Sequence, residues 1–142
     1  NQALKSAIMG LSLGTGAPHI FKALVHAICF GSKKIVNRFE DEGVKINKVI
    51  GIGGVARKSP YIMQTLANVL NRPIIVATSD YAPALGAAIY AATAAGLYPT
   101  VLEASQNMAS SFEAEYYPQA GQVAVFEKLM EKYEALGAFV EG

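Results

Sequence analysis

The segment from Val49 to Pro60 constrains the fold more than any other part of the 142-residue chain. It reads VIGIGGVARKSP: a β-branched apolar run, a glycine pair, a short polar loop and a proline able to open a helix. The pattern predicts a strand, a tight turn and a helix. Glycine allows close approach to the main chain, and a helix N-terminus offers unpaired N–H groups to anions. A nucleotide phosphate is the first ligand to consider; a plain strand-to-helix turn is the alternative, and backbone geometry alone does not choose between them.

The rest of the chain predicts further helices and strands. Proline in a first turn begins a long helix at Ala17-Pro18, with an apolar stripe at three- and four-residue spacing, and Gly43 ends it near Glu42. The stripe comprises Ile20, Ala23, Leu24, Ala27, Ile28, Gly31 and Ile35. After this helix, the sequence predicts a strand at 49–52, a helix that begins at Pro60 and ends at Asn71-Arg72-Pro73, and a strand at 74–77. It then predicts a helix that begins near Pro83 and is capped by Ser79-Asp80, a short helix at 101–108 and an extended segment at 112–117. The final predicted helix has an apolar face formed by Phe126, Leu129, Met130, Tyr133, Leu136 and Val140.

The composition narrows the class of protein. Hydrophobic residues make up 52% of the chain and charged residues 16%, which favours a folded core over disorder. The net charge is +1 with scattered Lys and Arg, so no basic surface indicates a nucleic acid or a membrane, and no apolar run reaches the roughly 18 to 20 residues of a membrane helix. The single cysteine, Cys29, indicates a core position in a reducing compartment. These features predict one cytoplasmic α/β domain with strands buried between helices.

Other candidate sites are weak. His19 and His26 are two helical turns apart and lack further ligands at metal-site spacing, so packed or surface histidines are expected. The segment 14–16, Gly-Thr-Gly, lacks the lysine and length of a P-loop and favours a turn. A dinucleotide fingerprint is weak: Ala56 fits the third glycine position only if the spacing is stretched, and Arg72-Pro73 lies about 20 residues on, where an acidic residue would end a following strand.

Four segments, in this order and spacing, carry a resemblance. They are Gly53-Gly54-Val55-Ala56-Arg57-Lys58-Ser59-Pro60, Met63-Gln64, Asn71-Arg72-Pro73-Ile74 and Ala84-Leu85-Gly86-Ala87-Ala88. Together they resemble the C-terminal domain of FGGY-type carbohydrate kinases, and within that family most of all the kinases of L-ribulose. The resemblance extends from about Met9 to the last helix.

The resemblance implies an actin-like, ribonuclease H-like ATPase fold, with residues 1–142 as one C-terminal lobe, a mixed sheet flanked by helices, and an N-terminal lobe outside this chain. Gly53 and Gly54 would lie against the phosphates and ribose of ATP, and Val55 would flank the adenosine. Lys58 or Ser59 would reach the adenine, and capping the helix at Pro60 is an equal role for Ser59. Residues 84–88 would pack near the glycine turn and shape the pocket.

The implied chemistry is phosphoryl transfer from ATP with Mg²⁺ to a ketopentose such as L-ribulose. The family's general base is an aspartate of the other lobe, so Asp80 is not assigned as the base, and this chain alone would hold adenosine without catalysis. The sugar would be bound mainly by the other lobe. Phe112 and Tyr116-Tyr117 would face that lobe or pair two copies in a homodimer. The alternative function is a nucleotide-binding or oligomerisation module of another actin-like ATPase without sugar transfer.

Overall fold

A computed structural model describes residues 6–142 of the chain. Within them, nine elements follow one another: α1 (Ala17–Asp41), β1 (Val49–Gly51), α2 (Gly53–Lys58), α3 (Pro60–Leu70), β2 (Ile74–Ala77), α4 (Ala82–Ala94), α5 (Val101–Met108), β3 (Phe112–Tyr116) and α6 (Ala120–Glu141). No helix among these residues is both long and apolar enough to cross a bilayer.

The three strands form one mixed sheet in the order β1-β2-β3. β1 runs parallel to β2, with Val49 opposite Ile74, and β3 runs antiparallel to β2, with Tyr116 opposite Ile74. The predicted mixed sheet is therefore confirmed. The expectation that all strands are buried holds only for β2, because Ile74 and Val76 are 0% and 1% exposed whereas Phe112 on β3 is 49% exposed.

The chain divides into two compact units. One contains the described residues up to Asn47 together with 64–72 and 117–142; the other contains 48–63 and 73–116 and holds the whole sheet. Helix α3 contributes its first residues to the second unit and the remainder to the first.

Aromatic rings of α1 and α6 form the core of the first unit. The His26 ring lies edge-on to the Phe126 ring, with 4.9 Å between the ring centroids, and the ring centroids of Phe30 and Tyr133 are 5.4 Å apart. Burial, together with the charge of Lys22, lowers the pKa of His26. Cys29 is buried, as expected, and burial raises the pKa of its thiol to about 11, so it stays protonated and unreactive at neutral pH.

The predicted apolar stripe of α1 is wrong as a core face. Val25, Cys29 and Phe30 are the buried residues of α1, whereas Leu24, Ile28 and Ile35 are more than half exposed. The helix carries apolar residues on two adjacent faces, and periodicity cannot tell which one packs on α6.

The helix ends follow the sequence signals with one exception. Gly43, at φ +85°, follows α1, and Asn71, at φ +51°, follows α3, so both predicted ends are confirmed. Ser79 and Asp80 do not cap α4: the cap position is Tyr81, whose N–H donates to Ser79 Oγ, while Asp80 forms an ion pair with Arg57. A charged partner holds the carboxylate away from the helix end.

Arg72 fastens the turn after α3. Its guanidinium donates to the carbonyl of Ile46 at 2.8 Å and pairs with Glu40 at 2.5 Å. The predicted Asn-Arg-Pro turn thus ties the end of α3 to the last turn of α1 and to the segment that follows it.

Candidate functional site

The turn between β1 and α2 begins at a crowded glycine. A Cβ on Gly51 would lie 3.2 Å from the Cβ of Ala56 and 3.3 Å from the sulfur of Met63. Only glycine therefore lets α2 and the start of α3 pack this closely against the end of β1. Ile52 then continues in extended conformation and immediately precedes the first residue of α2.

Gly53 and Gly54 form the first turn of α2 and face open space. Gly53 has φ +82°, which L side chains rarely adopt, so the backbone itself requires glycine there. Gly54 has no such requirement: within residues 6–142, no atom beyond its chain neighbours and its own helix backbone lies within 4 Å of the position that a Cβ would take, and its φ is ordinary. Helical glycine costs about 1 kcal/mol relative to alanine, and no contact among residues 6–142 explains that cost at Gly54.

The polar loop predicted after the glycine pair is wrong, since residues 53–58 form helix α2. Two adjacent glycines have low helix propensity, and for this reason the sequence pattern does not predict this short helix. With six residues α2 is only about 9 Å long, so it supplies a few free N–H groups rather than a strong macrodipole. Its ability to attract an anion is correspondingly smaller than the sequence indicated.

The five predicted nucleotide-contacting residues lie along α2 and its end. Gly53, Gly54 and Val55 share the first turn, where Val55 is 61% exposed. Lys58 is exposed in the last turn, and Ser59 follows it. The Ser59 hydroxyl accepts a long hydrogen bond of 3.4 Å from the N–H of Ile62, which supports its capping role at the start of α3.

A cavity of about 640 Å³ opens beside the C-terminal end of α2, next to β2 and β3. Its lining combines charged and aromatic side chains with small apolar ones: Ala56, Arg57, Lys58, Val76, Asp80, Tyr81, Glu113, Ala114 and Tyr116. Of the predicted site residues, only Lys58 lines it.

Arg57 joins two carboxylates at this cavity. Its Nε donates to Glu113 Oε1 at 2.7 Å, and a terminal nitrogen pairs with Asp80. The hydrogen bonds to Glu113 and Asp80 raise the pKa of Arg57 further, and the hydrogen bond from Arg57 lowers the pKa of Asp80. The ion pair thus opposes protonation of Asp80, and the assignment of the base to another lobe stays a prediction. Sequence reasoning missed Arg57 and Glu113, because no spacing rule pairs residues 56 positions apart.

The remaining sequence candidates lie outside α2 and outside the lining of this cavity. Ala84, Ala87 and Ala88 are exposed, so the structure does not show the expected packing of residues 84–88 near the glycine turn. In segment 14–16, the N–H of Thr15 donates to the carbonyl of Ser12, forming the expected turn. His19 Nδ1 accepts from the N–H of Gly16, and no cluster of three or more potential metal ligands occurs within residues 6–142.

Comparison with known proteins matches the C-terminal domain of the FGGY family of carbohydrate kinases to residues 1–95. A ribulokinase from Vibrio parahaemolyticus is 46% identical over 141 residues, 99% of this chain and 25% of that protein. A ribulokinase from Geobacillus thermodenitrificans is 37% identical over 94% of this chain and 24% of that protein. The chain spans about a quarter of the length of these curated relatives.

The fold has close counterparts among solved structures. Xylulose kinase from Rhodospirillum rubrum superposes with a TM-score of 0.80 at 25% identity, covering 94% of this chain and 27% of that one. Xylulose kinase from Lactobacillus acidophilus superposes with a TM-score of 0.83 at 23% identity, covering 96% and 27%. The predicted actin-like α/β fold is confirmed, as is the predicted resemblance to the kinases of L-ribulose.

Proposed function

This chain belongs to the FGGY family of carbohydrate kinases, as its C-terminal domain, and we propose that it is the ATP-binding part of a kinase for a ketopentose such as L-ribulose. In this proposal residues 1–142 act as one C-terminal nucleotide-binding lobe. The identity of up to 46% with ribulokinases favours L-ribulose as the sugar and sugar transfer over a module of another actin-like ATPase.

Open space at Gly54 is the observation that supports the nucleotide site. An exposed helical glycine with no neighbour within 4 Å leaves a surface that a ligand can approach to backbone distance. Gly53 begins α2 with φ +82°, and the first N–H groups of a helix have no intrahelical partners. We assign these N–H groups to the phosphates and ribose of ATP, which form hydrogen bonds with unpaired donors.

The other three residues are assigned by their place on α2. Val55, exposed beside the glycines, supplies apolar surface for adenosine. Lys58, one turn further along, reaches toward the adenine, and Ser59 shares that end of the helix while capping α3. These assignments follow the family resemblance and the exposure of the residues.

ATP brings Mg²⁺ in this proposal, and Mg²⁺ supplies charge neutralisation on the transferred phosphoryl group. Residues 6–142 offer no cluster of three or more potential metal ligands, so we assign the ion to the nucleotide phosphates rather than to side chains of this part of the chain. The chain itself binds and orients ATP. The proton of the sugar hydroxyl is assigned to an aspartate of the N-terminal lobe, which also holds most of the sugar.

The proposal allows two kinds of partner for the exposed aromatic side chains at and after β3. Phe112 is 49% exposed on β3, and Tyr117 is 60% exposed. They are covered by the N-terminal lobe or they pair two copies of the chain, and light scattering of the chain in solution decides between these. A cytoplasmic location belongs to the same proposal, since ATP is the co-substrate and Cys29 is a buried free thiol.

Substitution of Gly54 by valine tests the nucleotide site. Gly121 is the matched control, because it too is the second residue of a helix and has no atom within 4 Å of a Cβ. We expect Gly54→Val to raise the Michaelis constant for ATP of the full-length kinase roughly tenfold or more, about 1.4 kcal/mol, and Gly121→Val to leave it unchanged. Equal constants in both variants, with the fold intact by circular dichroism, would contradict the assignment of Gly54.

A further inference from the structure

We propose that Arg57 is a positioning residue of the nucleotide site, which holds α2, and with it Gly53 and Gly54, against β3 and the segment after β2. The inference rests on the proposed ATP site for its functional consequence. Its structural part, the dependence of the glycine turn on Arg57, stands on the contacts alone.

The contacts of Arg57 come from two separate parts of the sheet unit. Glu113 belongs to β3, and Asp80 belongs to the segment between β2 and α4. A guanidinium is planar, with its donors in fixed directions, so two carboxylates that accept from different nitrogens fix both its place and its orientation. Arg57 therefore connects α2 to strand β3 and to the segment that follows β2.

Helix α2 has few other attachments. Among its six residues only Ala56 is buried, while Gly54, Val55 and Lys58 are exposed. A helix this short does not persist without tertiary contacts. The buried Ala56 methyl fixes the distance of α2 from the sheet, and the two ion pairs of Arg57 fix its rotation.

The two ion pairs of Arg57, with Glu113 and with Asp80, are called the Arg57 clamp, and the Gly53-Gly54 turn lies close to it on the same helix. Gly54 and Arg57 are three residues apart and therefore lie one turn apart on the same side of α2. A rotation of the helix about its axis at Arg57 moves the N–H groups of Gly53 and Gly54 by the same angle. Release of the clamp thus misdirects the donors assigned to ATP without removing any of them.

The exposure of these side chains indicates a local effect. The side chains of Arg57, Glu113 and Asp80 are 28%, 30% and 55% exposed. Ion pairs this exposed contribute little to global stability. We therefore expect loss of the clamp to change the glycine turn and ATP affinity while the melting temperature stays nearly constant.

Three variants and one control test the proposal. Arg57→Met removes both ion pairs and keeps a long apolar side chain. The double variant Asp80→Asn, Glu113→Gln removes the negative charges of both carboxylates and keeps Arg57. Arg57→Lys retains the positive charge and is expected to restore part of the contact with the carboxylates. Arg38→Met is the control, because the ion pair of Arg38 within residues 6–142 is a local one with Glu42, four residues along the chain, and its side chain is 76% exposed.

Two readouts separate position from binding. The first is the amide nitrogen and proton shifts of Gly53 and Gly54 in the ¹⁵N spectrum of the chain without nucleotide. We expect them to move in Arg57→Met and in the double variant, to move less in Arg57→Lys, and to stay in Arg38→Met. The second is the Michaelis constant for ATP of the full-length kinase, which we expect to rise roughly threefold to tenfold in the first two variants, the range that two partly exposed ion pairs can supply, with kcat nearly unchanged.

The readouts also distinguish the two proposals. Unmoved glycine amides in Arg57→Met overturn the positioning role, whatever happens to ATP. Moved amides with an unchanged constant for ATP keep the structural link but overturn its bearing on the nucleotide. If Gly54→Val also leaves that constant unchanged, the ATP site itself is misplaced, and the amide shifts still decide whether Arg57 holds the turn.

Discussion

Gly51, Gly53 and Gly54 lie within four positions of each other, and each is glycine for a different physical reason. Gly51 avoids contacts of 3.2 and 3.3 Å with Ala56 and Met63, Gly53 adopts φ +82°, and Gly54 faces open space. The first two reasons are internal to the fold. Only the third leaves a residue whose choice the chain does not explain, which is why the ligand is assigned there.

Alanine substitutions separate these reasons. Gly51→Ala forces backbone or buried side chains apart, and we expect it to lower the free energy of unfolding by about 1 to 3 kcal/mol. Gly54→Ala adds a methyl group in open space and improves helix propensity, so we expect no loss and a gain of up to about 1 kcal/mol. Urea unfolding of the two variants measures the difference. A Gly51→Ala variant as stable as Gly54→Ala would mean that the close contacts at Gly51 relax without cost.

The titration of Asp80 reports the Arg57 clamp directly. Its pKa lies below the ordinary 3.8 because Arg57 donates to the carboxylate. A lowered pKa in the folded chain means that the ion pair stabilises the fold above the unfolded pKa and loses its effect as the pH falls through the folded value. We expect Arg57→Met to raise the Asp80 pKa toward 3.8 in a carbon-13 carboxyl titration. Arg38→Met should leave the curve where it was; a curve unmoved by Arg57→Met would show that another group holds Asp80.

At the scale of elements, the sequence predicted most boundaries and missed what distant residues decide. β2 coincides with its predicted residues 74–77, and the ends at Gly43 and Asn71 follow from local backbone preference. Helix α2 was missed because Gly53 and Gly54 disfavour helix locally, and tertiary contact through Ala56 and Arg57 outweighs that preference.

The buried face of a helix was harder to predict from the sequence than the residues at which the helix begins and ends. On α1, Leu24 and Ile28 fit a helical stripe as well as Val25 and Cys29 do, and only packing on α6 selects the second set. The candidate site shows the same division. The glycine turn and Lys58 were accessible from local pattern and resemblance, whereas the Arg57–Glu113 pair depends on β3 returning antiparallel beside β2.

For the whole molecule, the decisive fact is that the chain covers about a quarter of the ribulokinases it matches. We therefore expect ATP binding to reside in this chain and phosphoryl transfer to require further residues of a longer kinase. Within residues 6–142, the nucleotide donors proposed at Gly53 and Gly54 lie on α2, while Asp80, the carboxylate that sequence reasoning weighed as a base, is ion-paired to Arg57 with a lowered pKa. The ion pair with Arg57 therefore opposes protonation of Asp80.

We therefore expect the isolated chain to bind ATP weakly and to transfer no phosphoryl group. The sugar hydroxyl oxygen must lie in line with the γ-phosphorus and its leaving oxygen, and a base must accept a hydrogen bond from that hydroxyl. Correct placement of reacting groups accounts for several kcal/mol of barrier reduction, about 7 to 11 in favourable cases. The measurement is ADP release with L-ribulose and ATP, compared between the chain and the full-length kinase, together with ATP-induced shifts of the Gly53 and Gly54 amides. Binding without turnover supports the division of labour. Ribulose-dependent ADP release by the chain alone, abolished by Asp80→Asn, would instead make Asp80 the base and require its ion pair with Arg57 to open when the sugar binds.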